Sequence, residues 1–378
     1  MTRIFLIAGE ASGDVLGGRL IAGLRAANPA ITVAGIGGAR MAEQGLESIF
    51  PMQELAVMGL AEILPRVFAI KRRINQTIEA ITRTRPDIVV TIDSPGFCLR
   101  VLKAIAELGI RRVHYVAPQV WAWRPERVRH FPGLWDELLC LLPFEPPFFA
   151  PHGLNPVFVG HPVLESGADK GDAARFRSRH GLAPDATPVV LMPGSRASET
   201  TRLLPVFRQT MALLNAKIPG LCPVLAAAPG IADAVAAQTQ GWQIRPIIVR
   251  DVPERYDAFA CAHAALTKSG TSTLELAMAS VPMAVTYRVN PASAFMARRL
   301  IKIPHVAMIN LLAGQALVPE LLQNDCRPDI LCATLHALLT DPGVATRQKA
   351  GFPPALASLR APFGLASAAA ATAILGCA

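Results

Sequence analysis

Charged and aromatic side chains are scarce in this sequence, at 17% and 6% of 378 residues. Proteins that bind single-stranded nucleic acid interleave basic residues with stacking aromatics, and no such run occurs, which sets nucleic acid aside. No stretch reaches the roughly 20 apolar residues of a membrane-spanning helix. There is no C-x-x-C, no H-x-x-x-H and no mixed His/Cys ligand spacing, so neither a structural metal nor a cofactor is expected. The G-x-G-x-x-G dinucleotide fingerprint is also missing. The seven cysteines (Cys98, Cys140, Cys222, Cys261, Cys326, Cys332 and Cys377) are odd in number, and several lie in apolar runs. They read as buried thiols of a reducing compartment. The opening run Met1–Ala8 meets Glu10 and Asp14 at once. It reads as a first strand rather than a signal peptide. The expected location is the cytoplasm, with any membrane contact peripheral.

Apolar residues, by contrast, make up 52% of the chain, and mean hydropathy is +0.36. That implies large cores or apolar surface. A net charge of +9 implies acidic partners, such as anionic lipid headgroups or phosphorylated substrates. The length suggests two domains. Apolar β-branched runs alternate with helical periodicity in both halves, which predicts an α/β fold of two doubly wound, Rossmann-like domains facing a cleft. The first spans 1–165 and the second 166–344. The polar stretch 165–187 reads as the linker. The Ala-rich helices of 345–378 are expected to return to the first domain.

In such sheets ligands collect at the carboxyl ends of strands, and several loops there carry chemistry. Ala262–Thr267 reads as a buried strand, Lys268-Ser269-Gly270 as a turn, and Thr271-Ser272-Thr273 as the start of a helix. Free N–H groups at a helix start suit a phosphate or diphosphate, and Glu275 suits ribose hydroxyls. The same string also fits a plain capping box, Ser272 to Glu275. After strand 188–192, Gly194 and Ser195 offer backbone N–H groups and Arg196 a guanidinium fork. Glu10, Ser12 and Asp14 make an acidic loop suited to sugar hydroxyls, although Asp14 equally fits a helix cap. Asp93 ends the run 86–92 beside apolar residues that raise a carboxyl toward general-base duty; a cap is again the plainer reading. Trp121 and Trp123 share one strand-end loop, suited to the apolar face of a sugar or lipid or to core packing. Residues 59–84 show helical periodicity, with Pro65 as a kink or true start. Ile63, Leu64, Val67, Phe68, Lys71 and Arg72 give this helix an apolar, basic face of the kind that docks on anionic membrane. Solvated charges on an ordinary core helix explain it as well.

Taken together and in order, several strings resemble the lipid-A-disaccharide synthase family: Gly9-Glu-Ala-Ser-Gly-Asp14, Met58-Gly59, Thr91-Ile-Asp-Ser-Pro95, Tyr115-Val-Ala-Pro-Gln-Val-Trp-Ala-Trp-Arg124, Leu142-Pro-Phe-Glu145, Phe158-Val-Gly-His-Pro162, Met192-Pro-Gly-Ser-Arg196, Lys268-Ser-Gly-Thr-Ser-Thr-Leu-Glu275 and Asn310-Leu-Leu-Ala313. Gly96 departs from the acidic or polar residue expected there. The resemblance implies an inverting, metal-independent GT-B glycosyltransferase. It would move 2,3-diacylglucosamine from UDP to 2,3-diacylglucosamine 1-phosphate at the inner face of a Gram-negative inner membrane, and a homodimer through the C-terminal helices is implied. Asp93 would be the base. Arg196, Gly194, Ser195, Ser269, Gly270, Thr271 and Ser272 would hold the diphosphate and Glu275 the ribose. Asn310 would lie near the donor, and Glu10, Ser12, Asp14 and His161 near the sugars. Rival readings are another UDP-sugar enzyme of this fold, a hexosamine transferase or 2-epimerase, or a non-catalytic nucleotide-sugar binder docked on membrane.

Overall fold

The structure, a computed structural model, describes residues 2–55, 60–290 and 303–376; the side chains of 60–67 and of Pro229 lie outside the description. The chain forms two compact units. One joins Met1–Pro162 with Leu359–Ala378, and the other is Val163–Ser358.

The first unit contains six strands: β1 (Arg3–Ala8), β2 (Thr32–Ile36), β3 (Ile88–Ile92), β4 (Arg111–Tyr115), β5 (Glu137–Cys140) and β6 (Pro156–Phe158). They pair in parallel in the order β2-β1-β3-β4-β5-β6. Every residue of β3 is buried, as a Val/Ile run covered on both faces requires. Strand order reverses beside β1, so the crevice between the ends of β1 and β3 is this sheet's switch point. The second unit repeats the plan with β7 (Thr187–Met192), β8 (Leu221–Ala226), β9 (Ile247–Val249), β10 (Ala264–Thr267), β11 (Met283–Tyr287) and β12 (Glu320–Leu322). Their order is β12-β11-β10-β7-β8-β9, which puts the switch point between β7 and β10.

Several expectations change. The returning segment begins at Leu359 rather than 345. Helix Pro342–Ala357 stays in the second unit because Gln348 bonds both the N–H (2.8 Å) and the C=O (3.1 Å) of Met283 in β11. Helix Ala366–Leu375 does return, packing on helix Ala11–Ala27. Gly23 permits that approach, since a Cβ there would press on the Ser367 carbonyl. Arg111 caps the far end, donating to the carbonyls of Ile374 (2.6 Å) and Ala373 (3.0 Å). Residues 165–187 are built structure rather than linker: helix Ala173–His180 is held by Arg175, which forks onto the buried Asp257. Helix Leu60–Thr84 starts before Pro65. The Asn310-Leu-Leu-Ala313 string lies in helix Met308–Ala313.

Asp14 is a cap, but for a different helix from its own. Its buried carboxylate accepts from the N–H groups of Gly38 (2.7 Å), Arg40 (3.0 Å) and Met41 (3.0 Å) at the start of helix Ala39–Ala42. All three donors are satisfied within the protein, so the expectation of a sugar contact is withdrawn. Asp14→Ala strands those donors and should lower unfolding free energy by about 3 kcal/mol in denaturant titration. A variant of unchanged stability with weakened substrate binding would restore the sugar contact.

Candidate active site

At the first unit's switch point, β3 runs into two consecutive non-glycine residues with left-handed backbone, Asp93 (φ 52°) and Ser94 (φ 46°). Such pairs are costly and cluster where function demands them. Val116, at the end of neighbouring β4, has φ 78°. The Asp93 N–H is tied to the Tyr115 carbonyl at 2.9 Å. Ser94 turns against the end of β1, where only a glycine fits: a Cβ on Gly9 would collide with the Ser94 hydroxyl. Asp93 is half-buried. Burial raises its carboxyl above the ordinary range, and the Ser94 N–H partly offsets that. Gly96 is exposed, and a Cβ there would touch nothing within 4 Å.

Glu10 and the exposed Ser12 flank the same switch point at the start of helix Ala11–Ala27. His161 follows β6 and is buried; burial pushes its imidazole down to about 4, so it is neutral near pH 7.

Sequence reasoning did not single out Glu145 for a role. This carboxylate is 2% exposed, just past the end of β5. Trp121 Nε1 donates to it at 3.2 Å, and the N–H groups of Leu141 and Leu142 each donate at 3.0 Å. Burial outweighs these bonds and pushes it up to about 7. The Cys140 thiol beside it is pushed up by burial and by the Glu145 charge.

In the second unit the loop after β7 brings Gly194, Ser195 and Arg196 to the switch point, opposite Lys268 and Ser269 after β10. The arrangement holds an unforeseen buried carboxylate, Glu199, 4% exposed. It accepts from Ser195 N–H (3.0 Å), Arg196 N–H (3.4 Å) and Lys268 Nζ (2.9 Å). Gly194 sits at φ 113°, and a Cβ there would strike that carboxylate. The Ser195 N–H is therefore already bonded within the protein rather than offered to a ligand. The exposed Arg196 guanidinium stands 3.7 Å from Glu199.

Helix Ser272–Met278 is only seven residues long, and its hydroxyls are mostly committed. Ser269 donates to the Val306 carbonyl, Ser272 pairs with Thr267 Oγ1 (2.9 Å), and Thr273 donates to the Gly270 carbonyl (2.9 Å). Thr271 is exposed. The capping box from Ser272 to Glu275 does not form. Glu275 Oε1 instead receives Arg255 and Tyr256, each at 3.0 Å. Asn310 is fully buried and donates to the Val318 carbonyl (2.9 Å) and Glu320 (2.8 Å), while accepting from Val318 N–H (2.9 Å). Both amide hydrogens are spent inside the fold, so Asn310 ties helix Met308–Ala313 to the segment around Val318 and Glu320.

On helix Leu60–Thr84, Phe68 is 85% exposed, and Lys71 and Arg72 are exposed beside it. The side chains of Ile63, Leu64 and Val67, and the Met58-Gly59 string, lie outside the described residues. Among the described residues no helix is long and apolar enough to cross a membrane, and no group of three or more His, Cys, Asp or Glu is arranged to hold a metal.

Residues 4–358 match a family model described as lipid-A-disaccharide synthetase. A lipid-A-disaccharide synthase of Granulibacter bethesdensis is 58% identical over 98% of both chains. Among solved structures, the glycotransferase of kitacinnamycin superposes with a TM-score of 0.66 at 19% identity, covering 99% of this chain and 98% of that one. The UDP-GlcNAc 2-epimerase of Neisseria meningitidis, bound to UDP-GlcNAc, gives 0.64 at 12% identity, covering 94% and 97%. At these identities the two structures speak for the fold alone, a GT-B fold.

The Glu145 carboxyl makes stability depend on pH. Between its ordinary 4.5 and about 7 the folded chain holds a proton that the unfolded chain has released. Its contribution is therefore full below the lower value and lost as pH rises through the upper one. Glu145→Gln should flatten the fall in unfolding free energy between about pH 5 and pH 8 by on the order of 2 kcal/mol. Parallel pH profiles for the two proteins would contradict the raised carboxyl.

Proposed function

The chain belongs to the lipid-A-disaccharide synthase family, a glycosyltransferase of lipid A synthesis, and from this we propose how its residues divide the reaction. The donor is UDP-2,3-diacylglucosamine and the acceptor 2,3-diacylglucosamine 1-phosphate. The acceptor 6-hydroxyl attacks the anomeric carbon as the bond to UDP breaks, giving the β-1,6 disaccharide and UDP. Asp93 takes the hydroxyl proton, and its raised carboxyl makes it a stronger base than an ordinary aspartate. UDP departs with added negative charge, which Arg196 and Lys268 stabilise. Gly194 leaves room for the loop that presents Arg196, and Ser269, Gly270, Thr271 and Ser272 shape the turn beside it. Glu275, oriented by Arg255 and Tyr256, takes the ribose. Glu10, Ser12 and His161 face the sugars, His161 as a neutral imidazole. The observation that carries the reading is positional: Asp93 stands at the strand-order reversal of one sheet, and Arg196 and Lys268 stand at that of the other.

The exposed Phe68, Lys71 and Arg72 of helix Leu60–Thr84 suit docking on an anionic membrane, which supports a place for the enzyme on the inner face of the inner membrane, where diacylated substrates reside. The homodimer through the C-terminal helices stays part of this proposal.

Incubation with the two substrates should yield a tetra-acyl disaccharide by mass analysis. Asp93→Asn and Arg196→Ala should each cut turnover by at least ~10²-fold, with UDP binding nearly intact in Asp93→Asn. Full turnover in Asp93→Asn would remove the base assignment. For docking, Phe68→Ser, Lys71→Glu combined with Arg72→Glu, and high salt should each reduce co-sedimentation with anionic vesicles. Sedimentation insensitive to all three would end the membrane assignment.

A further inference from the structure

The turn after β4 ends in helix Val120–Trp123, whose two indoles play different parts. Trp121 is half-buried, edge-on to Phe144 with ring centroids 4.8 Å apart. Trp123 is 38% exposed, with the Arg124 guanidinium 4.9 Å from its ring centre. Arg127, Arg129 and His130 follow on the next short helix, all exposed. The turn thus presents an indole and a cationic rim together, chemistry that fits a ligand with both an acyl chain and a phosphate.

What holds the turn is Glu145. One of its oxygens takes the Trp121 indole N–H and the other takes two backbone N–H groups from the end of β5. The carboxylate therefore ties the β4 loop to the β5 loop. Three donors converge on one buried side chain. A glutamine supplies a single acceptor oxygen and adds two donors of its own, so it cannot replace the clamp.

We propose that Glu145 is a positioning residue that locks the Trp121–Trp123 turn as an acyl-chain contact of the acceptor site and so sets selectivity for long-chain acceptors. This rests on the glycolipid acceptor reading above. Glu145 touches no reacting atom; it acts through Trp121.

The test compares kcat/KM for a long-chain and a short-chain diacylglucosamine 1-phosphate in the wild-type chain, Glu145→Gln and Trp121→Phe. Trp121→Phe keeps an aromatic ring against Phe144 and removes the N–H donor together with the fused pyrrole ring. The long-over-short ratio should fall about tenfold in both variants. Equal losses on both acceptors would reduce Glu145 to a general stabiliser and overturn the proposal. If Glu145→Gln does not fold, Trp121→Phe decides alone, and an unchanged ratio overturns it. A wild-type chain inactive on both acceptors would bring down the functional reading itself, and this inference with it.

Discussion

Everything in the first unit's site depends on the backbone at the end of β3. Asp93 and Ser94 both hold left-handed conformations that cost L-residues energy, on the order of 1–2 kcal/mol each. The surroundings over-determine the arrangement. The Asp93 N–H is bonded to Tyr115, and Ser94 fills the space that Gly9 leaves open. The result is a carboxylate turned out at the switch point but sheltered enough to be poorly solvated. An extended backbone here would have sent Asp93 to one face of the sheet, as a cap or a core ion. Strain converts a strand-end aspartate into a candidate base.

The second unit faces the opposite problem, that of holding positive charges close together. Arg196 and Lys268 gather around Glu199, a carboxylate sealed within the fold. Cations collected without such a counter-charge would repel one another and splay the loops. Glu199 keeps Lys268 and the two amides in register while the Arg196 guanidinium remains exposed. Buried carboxylates recur as organisers throughout the molecule: Asp14 over a helix start, Glu145 over the Trp turn, Glu199 over the cationic loop, Asp257 over helix Ala173–His180.

Much of the fold was legible in the sequence because its signals are local. Runs such as Ile88–Ile92 are β-branched and fully apolar, so a central parallel strand follows from the residues themselves. The position of Asp93 and Arg196 after such runs followed in the same way. β12 was missed because three residues, Glu320–Leu322, carry no periodicity; they form a strand only because β11 offers a free edge. The organisers were missed for a related reason. Glu145 and Glu199 look like ordinary first-turn acids of helices, and their partners, Trp121 and Lys268, lie 24 and 69 positions away. Asp14 was read against its own helix, yet it caps one beginning 25 positions later, at Ala39. Asn310 sits in a string the family resemblance singled out, but burial with both amide hydrogens donated gives it a place in the fold that sequence cannot distinguish from a contact with substrate.

The central claim is that one carboxylate, Asp93, drives a single displacement at the anomeric carbon. Proton NMR of the purified product tests this most directly. Starting from the α-linked UDP donor, the account predicts a new glycosidic proton with the large coupling of a β-linkage, formed together with UDP. An α-linked disaccharide, or a UDP-sugar altered at its 2-position with no disaccharide formed, would contradict it.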